Sequence, residues 1–208
     1  MTYLLRLDAS ARTNGSHSRE LADFFQSQWG QAFPDGKIVV RDVNSPTVPH
    51  VNELMIRGFQ SPPEDRTDEM KKAIAISDEL IGELKLADYL LISVPMYNFS
   101  VPSALKAWID QVVRGGETFA MEDNGFKGLL ETKKAFICTA YGAAGYRNAG
   151  PMASLNFLEP YLQGLFGFLG VQDFEFFAAE GMMADTSVQA SVKTEIKESM
   201  AASIAQLG

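Results

Sequence analysis

The chain has 208 residues, a hydrophobic content of 46% and a charged content of 21%, as expected of one globular domain over residues 1–208 with a sizeable core. Its net charge of −8 argues against nucleic acid or an anionic membrane as a partner. One cysteine, Cys138, excludes a disulfide framework and a thiolate metal cluster, and two histidines, His17 and His50, form no HExxH.

Tyr3–Leu7 reads as a strand. Arg6 interrupts this apolar start, so no signal peptide is expected. No apolar run is long enough to span a membrane, and the expected location is the cytoplasm. A Ser/Asn/Gly loop follows from Ala9 to Ser18. A helix is then expected from about Ser18 to Gln31, with Leu21, Phe24, Phe25 and Gln28 near helical spacing. Lys37–Val43 is the second strand. Residues 44–66 are irregular and rich in Pro and polar groups, with one short helix near Glu53–Phe59.

A long helix is expected over Asp68–Leu86, with Met70, Ile74, Ile81 and Leu84 as its apolar stripe, and a third strand over Tyr89–Val94. The next helix carries the clearest pattern, through Val101, Leu105, Trp108, Ile109, Val112 and Val113. Ser100 is its expected N-cap, Pro102 suits its first turn, and Gly115-Gly116 ends it. Residues 117–132 form a Gly- and Asn-containing excursion. Lys134–Ala140 is the fourth strand, and a Gly-rich loop runs from Tyr141 to Tyr146. An aromatic-rich helix over about Ala153–Gly167, a fifth strand over Val171–Ala178 and a final helix complete the chain. That last helix repeats Val188, Val192, Ile196, Met200 and Ile204 at four-residue intervals.

Strands that alternate with helices imply one parallel sheet with helices on both faces, closed by right-handed crossovers. Five strands fit the flavodoxin-like order, in which the loops after strands one, three and four meet at the carboxyl edge. Those are the three unusual loops here. The first, Ser10-Ala11-Arg12-Thr13-Asn14-Gly15-Ser16-His17-Ser18-Arg19, offers hydroxyls and free amides at a helix start, a cradle for one terminal phosphate. It lacks GxxxxGK[ST] and GxGxxG, which argues against a nucleoside triphosphate or a dinucleotide bound in Rossmann fashion. The second, Pro95-Met96-Tyr97-Asn98-Phe99, places large flat or polarizable side chains where a turn has no use for them. A planar ring resting there explains them. Asn98 supplies both donor and acceptor for the mixed edge of an isoalloxazine, Met96 and Phe99 pack on it, and the loop's amides are expected to reach its N5 and O4. The third, Thr139 to Tyr146, is small-residued, so its backbone approaches a ring closely.

The run Pro95-Met96-Tyr97-Asn98-Phe99-Ser100-Val101-Pro102-Ser103-Ala104-Leu105-Lys106-Ala107-Trp108-Ile109-Asp110, followed by Gly116-Glu117-Thr118-Phe119, closely resembles the FMN-dependent NADH:quinone oxidoreductase family, also called FMN-dependent azoreductases. Ser10 with Ser16-His17-Ser18 matches that family's phosphate loop, and Phe166-Gly167-Phe168-Leu169-Gly170 resembles its segment before the last strand. The likeness covers essentially the whole chain. It implies a flavodoxin-like fold, a homodimer with an FMN at each of two sites near the interface, and two-electron reduction of quinones and azo compounds by NADH or NADPH. By matching position, Ser10, Ser16, His17 and Ser18 surround the FMN phosphate. Pro95, Met96, Tyr97, Asn98 and Phe99 line the ring, and Ala140, Tyr141, Gly142 and Ala143 take the third-loop role. The family often has Ser-Arg-Gly-Gly in that third loop, so this chain keeps only backbone contacts there. After Phe119, where several relatives carry an aromatic over the substrate pocket, Ala120 and Met121 stand instead.

The implied cycle is ping-pong: the nicotinamide gives up its hydride and leaves before the acceptor enters, with no side-chain nucleophile. Cys138 is read as an inert core residue. Two other readings compete. An electron-carrier flavodoxin would hold FMN without oxidising nicotinamide; the excursions at 44–66 and 117–132 favour a substrate-pocket enzyme over it. A serine hydrolase using Ser10 or Ser16 with His17 lacks an acid and an elbow motif.

Overall fold

The computed structural model describes residues 2–207. Five parallel strands form the sheet: β1 (Tyr3–Asp8), β2 (Lys37–Asp42), β3 (Tyr89–Pro95), β6 (Lys134–Ala140) and β7 (Phe174–Ala179), in the spatial order β2-β1-β3-β6-β7. Because chain order and spatial order part company between β1 and β3, the loops after those strands diverge and leave a crevice at the carboxyl edge. A two-stranded antiparallel hairpin, β4 (Phe119–Glu122) with β5 (Gly125–Gly128), stands apart from the sheet.

Alternation along the central strands divides the core in two. Leu5, Leu7, Leu90, Ile92 and Ile137 face one side. There they meet α3 (Asp68–Lys85) through Leu80, Ile81 and Leu84, α4 (Ser103–Val112) through Leu105, Trp108 and Ile109, and α5 (Leu158–Leu169) through Leu162 and Phe166. Leu4, Leu91, Phe136 and Cys138 face the other side, against Leu21, Phe25 and Trp29 of α1 (His17–Ala32) and Met200 and Ile204 of α6 (Thr186–Ala205). Cys138 is buried and its thiol pKa is raised by burial, as an inert core residue requires. No helix of the described residues is long and apolar enough to cross a membrane.

Side-chain caps set several helix starts. Ser16 accepts from the Arg19 amide at α1, Asn52 from Met55 at α2 (Glu53–Gln60), and Thr67 from Met70 at α3. The expected elements are present with four corrections. Helix α4 ends at Val112, ahead of Gly115-Gly116, and the Val113 amide closes it on Ile109 O at 3.0 Å. Helix α4 begins at Ser103 with Pro102 as its cap, because Ser100 pairs back onto Tyr97 in a tight turn and is not free to cap. Helix α5 begins at Leu158, not Ala153: a single 3-10 turn, Ala153–Leu155, comes first, and Asn156 then accepts from the Glu159 amide at 3.2 Å. Strand β7 begins at Phe174, not Val171. Gly170, at φ 117°, turns the chain, and the Val171 amide closes the end of α5 on Phe166 O at 3.0 Å.

Candidate functional site

The three strand-end loops converge on one cleft of about 250 Å³. Its walls are Ser10, Arg12, Ser16, His17 and Ser18 after β1, then Pro95, Met96 and Tyr97 after β3. Ala140, Tyr141 and Gly142 follow after β6, and Met182 and Met183 after β7. Ten of the sequence-derived site residues therefore share one cleft; Asn98, Phe99 and Ala143 do not line it. Asn98 lines the adjoining groove with Ser103, Lys106 and Tyr161, and Phe99 faces Tyr146 with ring centroids 6.5 Å apart.

The end of the cleft after β1 is polar. Ser10, Ser16 and Ser18 are all buried, at 2%, 8% and 0% exposure. Ser10 Oγ accepts from the Arg12 amide at 3.2 Å, and Ser16 Oγ lies 3.3 Å from Ser18 Oγ. The hydroxyls thus pair with one another and with amides, and among the described residues none bonds to His17, which leaves no nucleophile–base pair for a hydrolase. His17 opens α1, where the first helical amides have no intrahelical acceptor. Burial, then the nearby Lys193 and Arg12, hold its pKa below the usual 6.5 against the opposing pull of Glu20, so its imidazole is neutral at pH 7.

The loop after β3 is a tight turn. Tyr97 and Ser100 exchange backbone hydrogen bonds at 3.0 and 3.1 Å, with Asn98 at φ 48° and Phe99 at φ 72° between them. Positive φ at both central positions is the I′ pattern, one that Asn tolerates and Phe rarely adopts. Strain of this kind persists only where the surroundings hold it, and it clusters at functional sites. The Met96 amide is taken by Ala140 O at 2.9 Å and that of Tyr97 by Ser100 O. The amides of Asn98 and Phe99 donate to no acceptor among the described residues, so the loop's free donors are narrowed to these two.

In the third loop, Tyr141 is fully buried and its hydroxyl donates to Glu159, which also pairs with Arg147 Nε at 2.9 Å. Burial first, and then Glu159, raise the phenol pKa, so the hydroxyl stays a donor. Tyr146 stacks on Tyr141 with centroids 5.4 Å apart. Gly142 lies against Met183: a Cβ there would come within 2.8 Å of Met183 Sδ, a contact the exposed, flexible methionine can relieve by moving. Met182 and Met183 are the cleft residues that sequence reasoning missed. The Gly181-Met182-Met183 run, one residue beyond the last strand, was the available signal. The donor set fits a phosphate at the serine end and a flat, acceptor-rimmed ring between Met96, Tyr97 and the small third loop.

Comparison with known proteins agrees. A family model described as flavodoxin-like fold matches residues 2–202. The chain is 46% identical over 175 residues to an FMN-dependent NADH:quinone oxidoreductase of Xanthobacter autotrophicus, covering 84% of each chain. It is 43% identical to one of Hydrogenovibrio crunogenus, covering 95% of this chain and 96% of that one. Among solved structures, the azoreductase of Bacillus anthracis str. Sterne superposes with a TM-score of 0.89 at 27% identity, over 98% of this chain and 99% of that one. With its sheet order, its three converging loops and this level of identity over nearly the full length, the chain belongs to the family of FMN-dependent NADH:quinone oxidoreductases.

Proposed function

We propose that this chain is an FMN-dependent oxidoreductase that carries two electrons from NADH or NADPH to quinones and reductively cleaves azo compounds. The reading takes it as one flavodoxin-like domain acting in the cytoplasm as a homodimer. The observation that carries it is the convergence of a serine cradle, the Met96–Tyr97 wall and a small-residued third loop on one cleft, with two free amides on the strained turn that adjoins it. FMN, when bound, supplies the hydride-accepting and electron-donating chemistry. Ser10, Ser16 and Ser18, with the first amides of α1, hold the phosphate. Met96 and Tyr97 pack against the ring. The Asn98, Phe99, Gly142 and Ala143 amides are the donors on hand for its polar rim, and fixed donors of this kind stabilise charge that develops on a reduced ring. For the homodimer, the aromatic group of Phe119, Phe126 and Phe168 beside the exposed Met121 supplies an apolar surface of the right kind.

The test is to load the purified protein with FMN and mix it anaerobically with NADH, then with a quinone. Bleaching of the flavin absorbance by NADH alone, and its return on quinone addition, are expected. A flavin that stays oxidised unless a separate reductase is supplied identifies an electron carrier and overturns the enzyme reading.

A further inference from the structure

The geometry points to Arg19 as a positioning residue. With Asn44, it fixes the Ser10–Ala11 peptide so that the Ala11 amide is presented as a donor to a phosphate monoester. This rests on the function proposed above.

The Ser10 carbonyl accepts two hydrogen bonds, from Arg19 Nη2 at 2.7 Å and from Asn44 Nδ2 at 3.1 Å. The Ser10–Ala11 bond is trans, so its N–H points opposite to its C=O. The Ala11 N–H is therefore turned away from Arg19 and Asn44, and among the described residues it has no acceptor. The next amide, that of Arg12, is occupied by Ser10 Oγ. Ala11 is thus a free donor at this bend, as is Ser10 among the described residues, and it stands between Ser10 and Arg12, which both line the cleft. A cation on the carbonyl side polarises the peptide and strengthens the N–H on the other side.

Arg19 does not itself serve as the anion's partner. Nη1 is 3.2 Å from Asp8 Oδ2 and Nη2 is 2.8 Å from Asp42 Oδ2. Asp8 is in turn gripped by Arg6, with both guanidinium contacts at 3.0 Å. Burial pushes the Asp42 pKa up, but hydrogen bonds from the Asn44 amide, from Arg19 and from the Asn44 side chain outweigh it, and it stays a carboxylate below the usual range. The guanidinium is therefore compensated and locked behind the loop. One residue also fastens both ends of the cradle, since the Arg19 amide donates to Ser16 Oγ at 3.4 Å while its side chain holds Ser10.

Riboflavin, which lacks only the phosphate of FMN, isolates this effect. Affinities for both are measured by flavin fluorescence quenching on the wild type, Arg19→Ala, Arg19→Lys and Asn44→Ala, with thermal melts run alongside. Arg19→Ala should weaken FMN by about tenfold or more, the scale of one charge-assisted hydrogen bond, and leave riboflavin unchanged. Arg19→Lys keeps the charge but not the fork that spans two carboxylates and a carbonyl, so it should recover only part of the loss. Asn44→Ala leaves the Arg19 ion pairs in place and should still lower the FMN-to-riboflavin ratio, which keeps the test alive if Arg19→Ala fails to fold. An unchanged ratio, or equal losses for both flavins, overturns the positioning role. A wild type that binds neither flavin overturns the proposed function instead.

Discussion

Two loops of the same cleft are stiffened by opposite means. The loop after β1 rests on charges: Arg6, Asp8, Arg19 and Asp42 form a buried or half-buried chain of ion pairs beneath it. The loop after β6 rests on main chain. Tyr141 N bonds to Ala179 O at 2.8 Å, Met182 N to Tyr141 O at 2.9 Å, Met183 N to Gly142 O at 2.9 Å and Gly181 N to Ala143 O at 3.1 Å, so the β6–β7 pairing runs on past the strand ends. Its ionic contact, Arg147 with Glu159, lies further along the chain. The contrast teaches that each support suits what it faces. Compensated charges hold hydroxyls and amides in place without entering the anion's space. A backbone ladder keeps the chain low and small where a flat ring must lie.

Removing one charge from the ionic bed should have the largest effect. Asp8→Asn leaves two guanidiniums side by side with one carboxylate fewer, and breaking a buried pair in this way should lower stability by about 3 kcal/mol in urea unfolding. A loss below about 1 kcal/mol would mean that the charges are not what supports this loop. On the other side of the contrast, Glu159→Ala strands the buried Tyr141 hydroxyl and should cost about 2 kcal/mol, whereas Tyr141→Phe removes the donor as well and should cost less. Equal melting temperatures for those two variants would show that the hydroxyl is irrelevant to the third loop. The smallest effect is a pH dependence. Because the folded pKa of His17 lies below 6.5, the unfolded chain binds the proton more readily, and stability falls as pH drops through about 6.5. His17→Asn should flatten that part of the melting-temperature profile, and an unaltered profile assigns the loss to other groups.

The sheet was legible because buried parallel strands and amphipathic helices leave strong periodic traces, as in Tyr89–Val94 and the helix through Trp108. The hairpin over Phe119–Gly128 was not, since four-residue strands with glycines carry no period; Asn124-Gly125, a tight-turn pair, was its one local trace. Ser10, Ser16 and Ser18 were legible as a cradle from their chemistry alone. The bed under them was not, because Arg6, Arg19 and Asp42 come from three separate elements, and a charged residue inside a core strand reads only as an interruption. Tyr141 shows the same limit. Its position in the third loop was visible, but its bond to Glu159 on α5 is a product of folding.

The division of the core by the sheet has a practical use in spectroscopy. The chain has two tryptophans. Trp29 sits wholly within the layer of α1 and α6, and Trp108 wholly within the layer of α3, α4 and α5. Among the described residues neither indole N–H has a partner, so both should emit toward the blue in the native state. A Trp29→Phe variant leaves an emitter on one side of the sheet, and Trp108→Phe leaves one on the other. Followed in parallel, the pair separates the loosening of each layer without any added label, and it shows whether flavin release and melting begin on the same side.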